Sequence, residues 1–313
     1  MRAIGVVEFG GPEALQVVEV PEPHAGSGEI RIRVRAATVN PTDTVLRSGA
    51  RTAALGDRRP PYIPGMDAAG VIDEVGEGVS TRLAVGDRAM AIVLSLGPHG
   101  GAYAEYVVVP AESAVRAPAG ASDAEASTLP MNGLTARLAL DLLALRPGQT
   151  LAVTGAAGAF GGYVIQLARS EGLRVVADAS PADEKLVREL GADAVVARGD
   201  GVADRFREAV PGGVDGLADG AVIGAAILPA VRDGGAVAAV RAFEGESQRD
   251  IAVHQVRVTD YAREPAKLDR LRELADKGVI SLRVAGTFPS EQAAQAHRIL
   301  EAGGTRGRLV IEF

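Results

Sequence analysis

At 313 residues the chain exceeds one ordinary domain and predicts two, and its 47% apolar and 23% charged residues are globular usage that excludes wholesale disorder. An excess of 40 acidic over 33 basic side chains, a formal charge of -7, gives no general attraction to a nucleic-acid backbone. No cysteine is present, which excludes disulfides and every thiolate metal site.

The first residues, 1–11, show no basic region followed by an apolar stretch and a cleavage site. The most apolar window, 221–231, is interrupted by Gly224 and Pro229, so neither export nor membrane insertion is expected and the expected location is cytoplasmic. Along the first ~120 residues apolar and polar positions alternate in short runs, as in Glu29-Ile30-Arg31-Ile32-Arg33-Val34-Arg35, which predicts an antiparallel β lobe. From about residue 122 a helical stretch, 123–145, is followed by short apolar runs at Thr150–Thr154, Leu173–Ala177, Ala194–Ala197, Val214–Ala218 and Ala236–Val240, separated by helical segments. Strands separated by helices need crossovers and therefore a parallel sheet. Near residue 255 the chain leaves that sheet; Leu268, Leu271 and Leu274 lie on one helical face, and 308–313 reads as a closing strand. The expected division is a β lobe of residues 1–121 and 255–313 around an α/β domain of 122–254.

The chemistry-bearing signal is strand, glycine turn, helix: Leu151-Ala152-Val153-Thr154, then Gly155-Ala156-Ala157-Gly158-Ala159-Phe160-Gly161-Gly162, then a helical pattern over 163–170. Glycines let backbone approach a pyrophosphate, and the N–H groups of a helix start supply donors and a favourable dipole. Ala156 stands at the first glycine of the G-x-G-x-x-G fingerprint. Asp178, about 17 residues beyond Gly161, has two readings. It receives the adenosine ribose hydroxyls, or it begins a turn while Ser180, Lys185 and Arg198 surround a 2′-phosphate, and composition leaves both open. The four histidines, His24, His99, His254 and His297, lack metal-ligand spacing and read as surface or packing residues.

Over essentially its whole length the chain resembles the zinc-free quinone oxidoreductases and related enoyl reductases of the medium-chain dehydrogenase/reductase superfamily. The resemblance rests on landmarks in the family's order: Asn40-Pro41-Thr42-Asp43, the run 64–71 from Pro64-Gly65-Met66-Asp67, Val85-Gly86-Asp87-Arg88, and 101–106. Leu134-Thr135-Ala136, Arg146-Pro147-Gly148, the glycine turn with Gln166-Leu167-Ala168, Gly191-Ala192-Asp193 and Arg306-Gly307-Arg308-Leu309-Val310 complete it. It implies an α/β protein with a GroES-like, partly open β-barrel lobe and a Rossmann doubly wound domain, NADPH as cofactor, a quinone or enone substrate, and a homodimer through the cofactor domains. Residues 221–231 are an apolar candidate for that contact or an internal helix.

By the same resemblance Asn40 lies near the nicotinamide, Thr135 near its ribose or phosphate, and Gly155, Gly158, Ala159, Phe160 and Gly161 around the pyrophosphate. Ser180, Lys185 and Arg198 fall about the adenosine phosphate, and Arg308 either pairs with a cofactor phosphate or caps the last strand. Asn40 and Tyr62 are the candidate catalytic donors to a substrate carbonyl, with a turn before Pro41 and a loop anchor as their structural alternatives. Phe243 either packs near nicotinamide or fills an apolar seam. Arg47 approaches an anionic substrate or is a solvated charge. Zinc-dependent relatives carry Gly-His-Glu where this chain has Gly65-Met66-Asp67, so no metal is expected; many quinone oxidoreductases carry a tyrosine where it has Val45. The alternative function is a weakly catalytic NADPH-binding redox sensor or structural protein.

Overall fold

The computed structural model describes residues 1–50, 52–80, 82–243, 245–246 and 248–313. It divides into two compact units: residues 1–131, 262–276 and 282–313 form the first, and 132–261 with 277–281 the second.

The first unit opens with a two-stranded antiparallel sheet, β1 (Arg2–Val6) and β2 (Leu15–Glu19). β3 (Glu29–Thr38) follows, and its alternation works as expected: Ile30, Ile32 and Val34 are buried while Arg33 and Arg35 face outward. Beyond it come α1 (Pro41–Arg47), β4 (Asp67–Val75), β5 (Arg88–Ile92), β6 (Tyr106–Pro110), β7 (Ala114–Arg116) and the short helix α2 (Asp123–Ser127). The helical pattern over 123–145 is broken at Pro130, which opens α3 (Pro130–Leu143) at a first-turn position where its missing N–H is harmless.

The second unit continues with β8 (Thr150–Thr154), α4 (Ala159–Ser170), β9 (Arg174–Ala179), α5 (Glu184–Glu189), β10 (Ala194–Ala197), α6 (Val202–Ala209), β11 (Val214–Asp219), β12 (Val231–Ala239) and β13 (Ala252–Gln255). All pairings are parallel in the order β10-β9-β8-β11-β12-β13. That is the doubly wound Rossmann order, with its topological switch between β8 and β11. Ile227, Leu228 and Ala230, in the 3-10 segment Gly224–Ala230, are buried in the core around Phe206 and Leu217, which favours the internal reading of 221–231.

The chain then returns to the first unit through α7 (Pro265–Asp276), β14 (Val284–Pro289), α8 (Ala293–Ala302) and β15 (Arg308–Glu312). Leu268, Leu271 and Leu274 are the buried face of α7. The sheet runs β14-β15-β3-β4-β5-β7, with β6 also on β3, so the last strand pairs on both sides. The unit boundaries at 131/132 and 261/262 lie beyond the expected 121/122 and 254/255. β13 completes the parallel sheet, and Thr38 in β3 and Asp67 in β4 bond to Ser127 and Met131, keeping 122–131 with the β sheet. Among the described residues no helix is long and apolar enough to cross a membrane.

Candidate functional site

In the second unit the site is built from the turn between β8 and α4. Gly155 takes φ 64, and a Cβ there would lie 3.0 Å from the carbonyl carbon of Gly220, so the turn after β8 and the turn after β11 meet backbone to backbone. Gly161 is required by contact: its Cβ would lie 2.5 Å from the oxygen of Gly155 and 2.7 Å from Cα of Ala156. α4 is thereby seated on the turn with Gly158 as its N-cap. The N–H groups of Ala159, Phe160 and Gly161 have no intrahelical acceptor and point out of a positive dipole end. The ring of Phe160 lies over Gly220, where a Cβ would come within 2.9 Å of it.

Asp178, at the carboxyl end of β9, is buried and turned onto the glycine turn, its Oδ1 accepting the Ala156 N–H at 3.1 Å. Burial raises its pKa, while the backbone bonds and the nearby charge of Arg198 oppose the rise. The Arg198 N–H donates to Ala179 O at 2.9 Å, which holds this exposed residue's backbone against the residue before Ser180. Ser180 itself donates to Asp183 at 2.5 Å, and Lys185 pairs along α5 with Glu189 at 3.8 Å. Sequence reasoning missed the brace between the two turns: Thr154 Oγ1 donates to Asp219 at 2.7 Å and accepts from Ala221 N–H, while Asp219 also accepts Gly224 N–H. The only signal was a polar residue ending each of two apolar strands. Thr135 is buried on α3, and Phe243 packs against the Rossmann core, which is the seam-filling alternative.

In the first unit Asn40 is fully buried at the start of α1. Its Nδ2 donates to Asp67 Oδ2 at 2.9 Å and more weakly to Thr38 O at 3.4 Å, and its Oδ1 accepts from Arg308 Nη2 at 2.7 Å. Both Nδ2 hydrogens are thus engaged, and for the amide to donate to a substrate carbonyl one of those two bonds must break: here Asn40 is a holder of Arg308 and Asp67. Arg308 Nη2 also contacts Thr38 Oγ1 at 2.7 Å and Asp67 at 3.2 Å, whereas its buried Nη1 has no partner among the described residues. Tyr62 donates to Arg58 O at 3.1 Å and stacks on Phe9 with ring centres 5.3 Å apart, the anchoring alternative. Arg47 is buried and ion-paired to Glu301 at 2.5 Å, which removes it as a solvated charge or a substrate ligand. Asp43 Oδ2 accepts Asn40 N–H at 2.8 Å and Oδ1 accepts Gly65 N–H at 2.9 Å; burial pushes this carboxyl up to about 6.

Zinc does not fit these residues. Met66 is a thioether bonded by Thr42 Oγ1, Asp67 is spent on Arg308, Asn40, Thr38 and Met131 N–H, and no thiol exists in the chain. Among the described residues no group of three or more His, Asp or Glu is placed to hold a metal.

Residues 26–119 match the family model of the alcohol dehydrogenase GroES-like domain, and 190–311 that of the zinc-binding dehydrogenases. The quinone oxidoreductase of Mus musculus is 32% identical over 337 residues, covering 99% of this chain and 97% of that protein. A chloroplastic quinone-oxidoreductase, QR1 of Triphysaria versicolor, is 37% identical over 203 residues, 63% of this chain and 60% of its own length. A mycobacterial protein solved in complex with NADPH superposes with a TM-score of 0.87 at 28% identity, both chains covered in full. A Rossmann switch point with a glycine turn, a β unit closed by the end of the chain, and full-length likeness to the mouse enzyme together make this chain a pyridine-nucleotide oxidoreductase of the quinone oxidoreductase family within the medium-chain dehydrogenase/reductase superfamily.

Proposed function

We propose that the protein reduces a quinone or an α,β-unsaturated carbonyl with NADPH, without zinc. The observation that carries this reading is the glycine turn at the β8/β11 switch point, with three N–H groups of α4 aimed outward beyond a buried strand. NADPH, when bound, supplies the hydride. The protein's part is to hold and orient: Ala159, Phe160 and Gly161 take the pyrophosphate on their backbone, and Thr135 the adjoining ribose or phosphate.

Asp178 supports NADPH over NADH, because a carboxylate committed to Ala156 N–H is not turned toward ribose hydroxyls, while Arg198 and Ser180 sit together at the ends of β10 and β9. Lys185 adds a cation on the following helix. In the β unit, Asn40 and Asp67 fix Arg308 through Nη2, and the unspent Nη1 is the donor we assign to a cofactor phosphate. Among the described residues no free acid–base pair stands in this cluster, and the reading takes the proton that completes reduction of the acceptor from water or from a weakly placed side chain. Assembly as a homodimer through the Rossmann units fits β13 as an open sheet edge with Ala252 and Gln255 exposed. Light scattering that finds only a 32.1 kDa species at micromolar concentration overturns that assembly.

The functional test is loss of NADPH absorbance against a panel of quinones, enones and enoyl thioesters. Turnover with a quinone or enone is expected. Thermal stabilisation by NADPH without turnover on any acceptor replaces this reading with the sensor or structural one.

A further inference from the structure

Behind Asn40 lies a chain of buried polar groups that has a direction. It begins at Arg47, whose Nη1 is 3.2 Å from His297 Nδ1. A guanidinium only donates, so His297 Nδ1 accepts, and the proton of a neutral imidazole is then on Nε2. That nitrogen is 3.2 Å from Tyr103 Oη and donates to it. Having accepted from the imidazole, the Tyr103 hydroxyl turns its own proton to Asp43 Oδ2, also at 3.2 Å. The chain ends on the carboxylate that grips Asn40 N–H and Gly65 N–H. Each link fixes the orientation of the next, and Arg47, Asp43, Tyr103 and His297 are all nearly or wholly buried.

The protonation states agree with the geometry. Burial and then the charge of Arg47 hold His297 down to about 3, so the imidazole is neutral. Burial, followed by the charge and hydrogen bond of Asp43, pushes Tyr103 well above its ordinary value and keeps it a donor. Asp43 is raised first by burial and also by Asp67; the N–H groups of Asn40 and Gly65 and the Tyr103 hydroxyl oppose the rise. The charged or titratable groups around it are therefore Arg47 on α1, Asp67 on β4, Tyr103 ahead of β6, His297 and Glu301 on α8, and Arg308 on β15.

We propose that His297 is a positioning residue: a neutral imidazole that aims the Tyr103 hydroxyl at Asp43 and so keeps that carboxylate ionised as the clamp on the backbone of Asn40 and Gly65. The two clamped segments carry Asn40 and Asp67, the residues that fix Arg308, and the importance of the clamp for turnover rests on the functional reading above. Protonation of Asp43 turns an acceptor of three hydrogen bonds into a group carrying a proton of its own, and loosens both segments together.

The test follows the amide resonances of Asn40 and Gly65 across pH in the apo protein, which requires no turnover. Both are expected to titrate with one midpoint, about 6 in the parent. Tyr103→Phe, which keeps the ring and removes the donor, should raise that midpoint by about one pH unit. His297→Gln, able to accept from Arg47 and donate to Tyr103, should leave it near the parent value, while His297→Leu should raise it as Tyr103→Phe does. Separate midpoints for the two amides, or an unmoved midpoint in Tyr103→Phe, overturn the clamp. Should the leucine variant not fold, the Tyr103→Phe and His297→Gln pair decides alone. In an active enzyme the acid limb of kcat/KM should follow the amide midpoint in each variant; a limb that stays put while the amides move overturns the positioning role. Absence of turnover with every acceptor refutes the functional reading and leaves the clamp to be judged by the amides.

Discussion

Gly161→Ala and Gly158→Val separate two reasons for glycine in one turn. At Gly161 the added carbon meets the Gly155 oxygen at 2.5 Å and Ala156 Cα at 2.7 Å, both backbone. Restoring ordinary contact, which for a Cβ begins at 3.4 Å, needs α4 to retreat by about 0.9 Å from the Gly155 oxygen. Overpacking of that sort costs about 1–3 kcal/mol and lowers Tm by several degrees. The same retreat lengthens the bonds from the α4 N–H groups to a bound pyrophosphate; losing one charge-assisted bond, about 1.5–3 kcal/mol, raises the NADPH Kd tenfold or more. Gly158 differs, since φ -70 and ψ 175 suit any residue and its Cβ meets only the Gly155 oxygen, at 3.1 Å. Gly158→Val should therefore keep Tm within a few degrees and still weaken NADPH, by standing where the pyrophosphate must approach. Calorimetric titration with NADPH beside thermal melts reads both quantities. A folded Gly158→Val protein that binds NADPH like the parent, or a Gly161→Ala protein unchanged in Tm and Kd, refutes the placement of the phosphate on this turn.

Arg198→Ala should raise the Kd for NADPH about tenfold or more and leave NADH nearly unchanged; equal losses, or a parent that prefers NADH, return Asp178 to the ribose. Incubation with a strong chelator should leave turnover intact, and stoichiometric zinc whose removal abolishes activity and whose return restores it contradicts the zinc-free reading. Stability against pH tests His297: held at about 3 when folded and 6.5 otherwise, it stays neutral while the unfolded chain takes up a proton. Its contribution is complete above 6.5 and drains away as pH falls, at about 1.4 kcal/mol per pH unit. Asp43, raised from 3.8 to about 6, has the opposite sign, adding stability as pH falls between those values. His297→Gln removes the first effect alone, so in urea unfolding the variant should gain on the parent between about pH 6 and about pH 4, and a difference independent of pH rejects the buried neutral imidazole.

Local pattern exposed the parts of this protein that are made locally. The strand ahead of Gly155, the helix behind it and the leucine face of α7 each follow from spacing within a dozen residues. β13 escaped because four residues, Ala252–Gln255, half exposed on a sheet edge, carry no alternation to detect. Asp178 was ambiguous for another reason: a carboxylate at a strand end faces out to a ribose or back to a turn depending on a neighbouring backbone N–H, here Ala156, that composition does not locate. The polar cluster around Asn40 was the least legible. Asn40 shows its donor and acceptor capacity in the sequence, yet what fills that capacity comes from Asp67 and from Arg308, 268 residues away. His297 looked solitary because its partners, Arg47 and Tyr103, lie 250 and 194 positions distant.

β15 is an interior strand, paired with β14 on one side and β3 on the other, with Leu309, Val310 and Ile311 buried. The β unit is therefore finished only when β15 joins strands that precede the whole of the Rossmann unit in sequence. Its β3 carries an unpaired flank at Ala36, Ala37 and Thr38 until residues 310–312 emerge, whereas the Rossmann unit, nearly all of it continuous in 132–261, is able to close beforehand. Throughout that interval the growing chain presents a free sheet edge of small apolar residues, open to strands of other molecules. Holding that edge until β15 arrives is a demand this topology places on the cell.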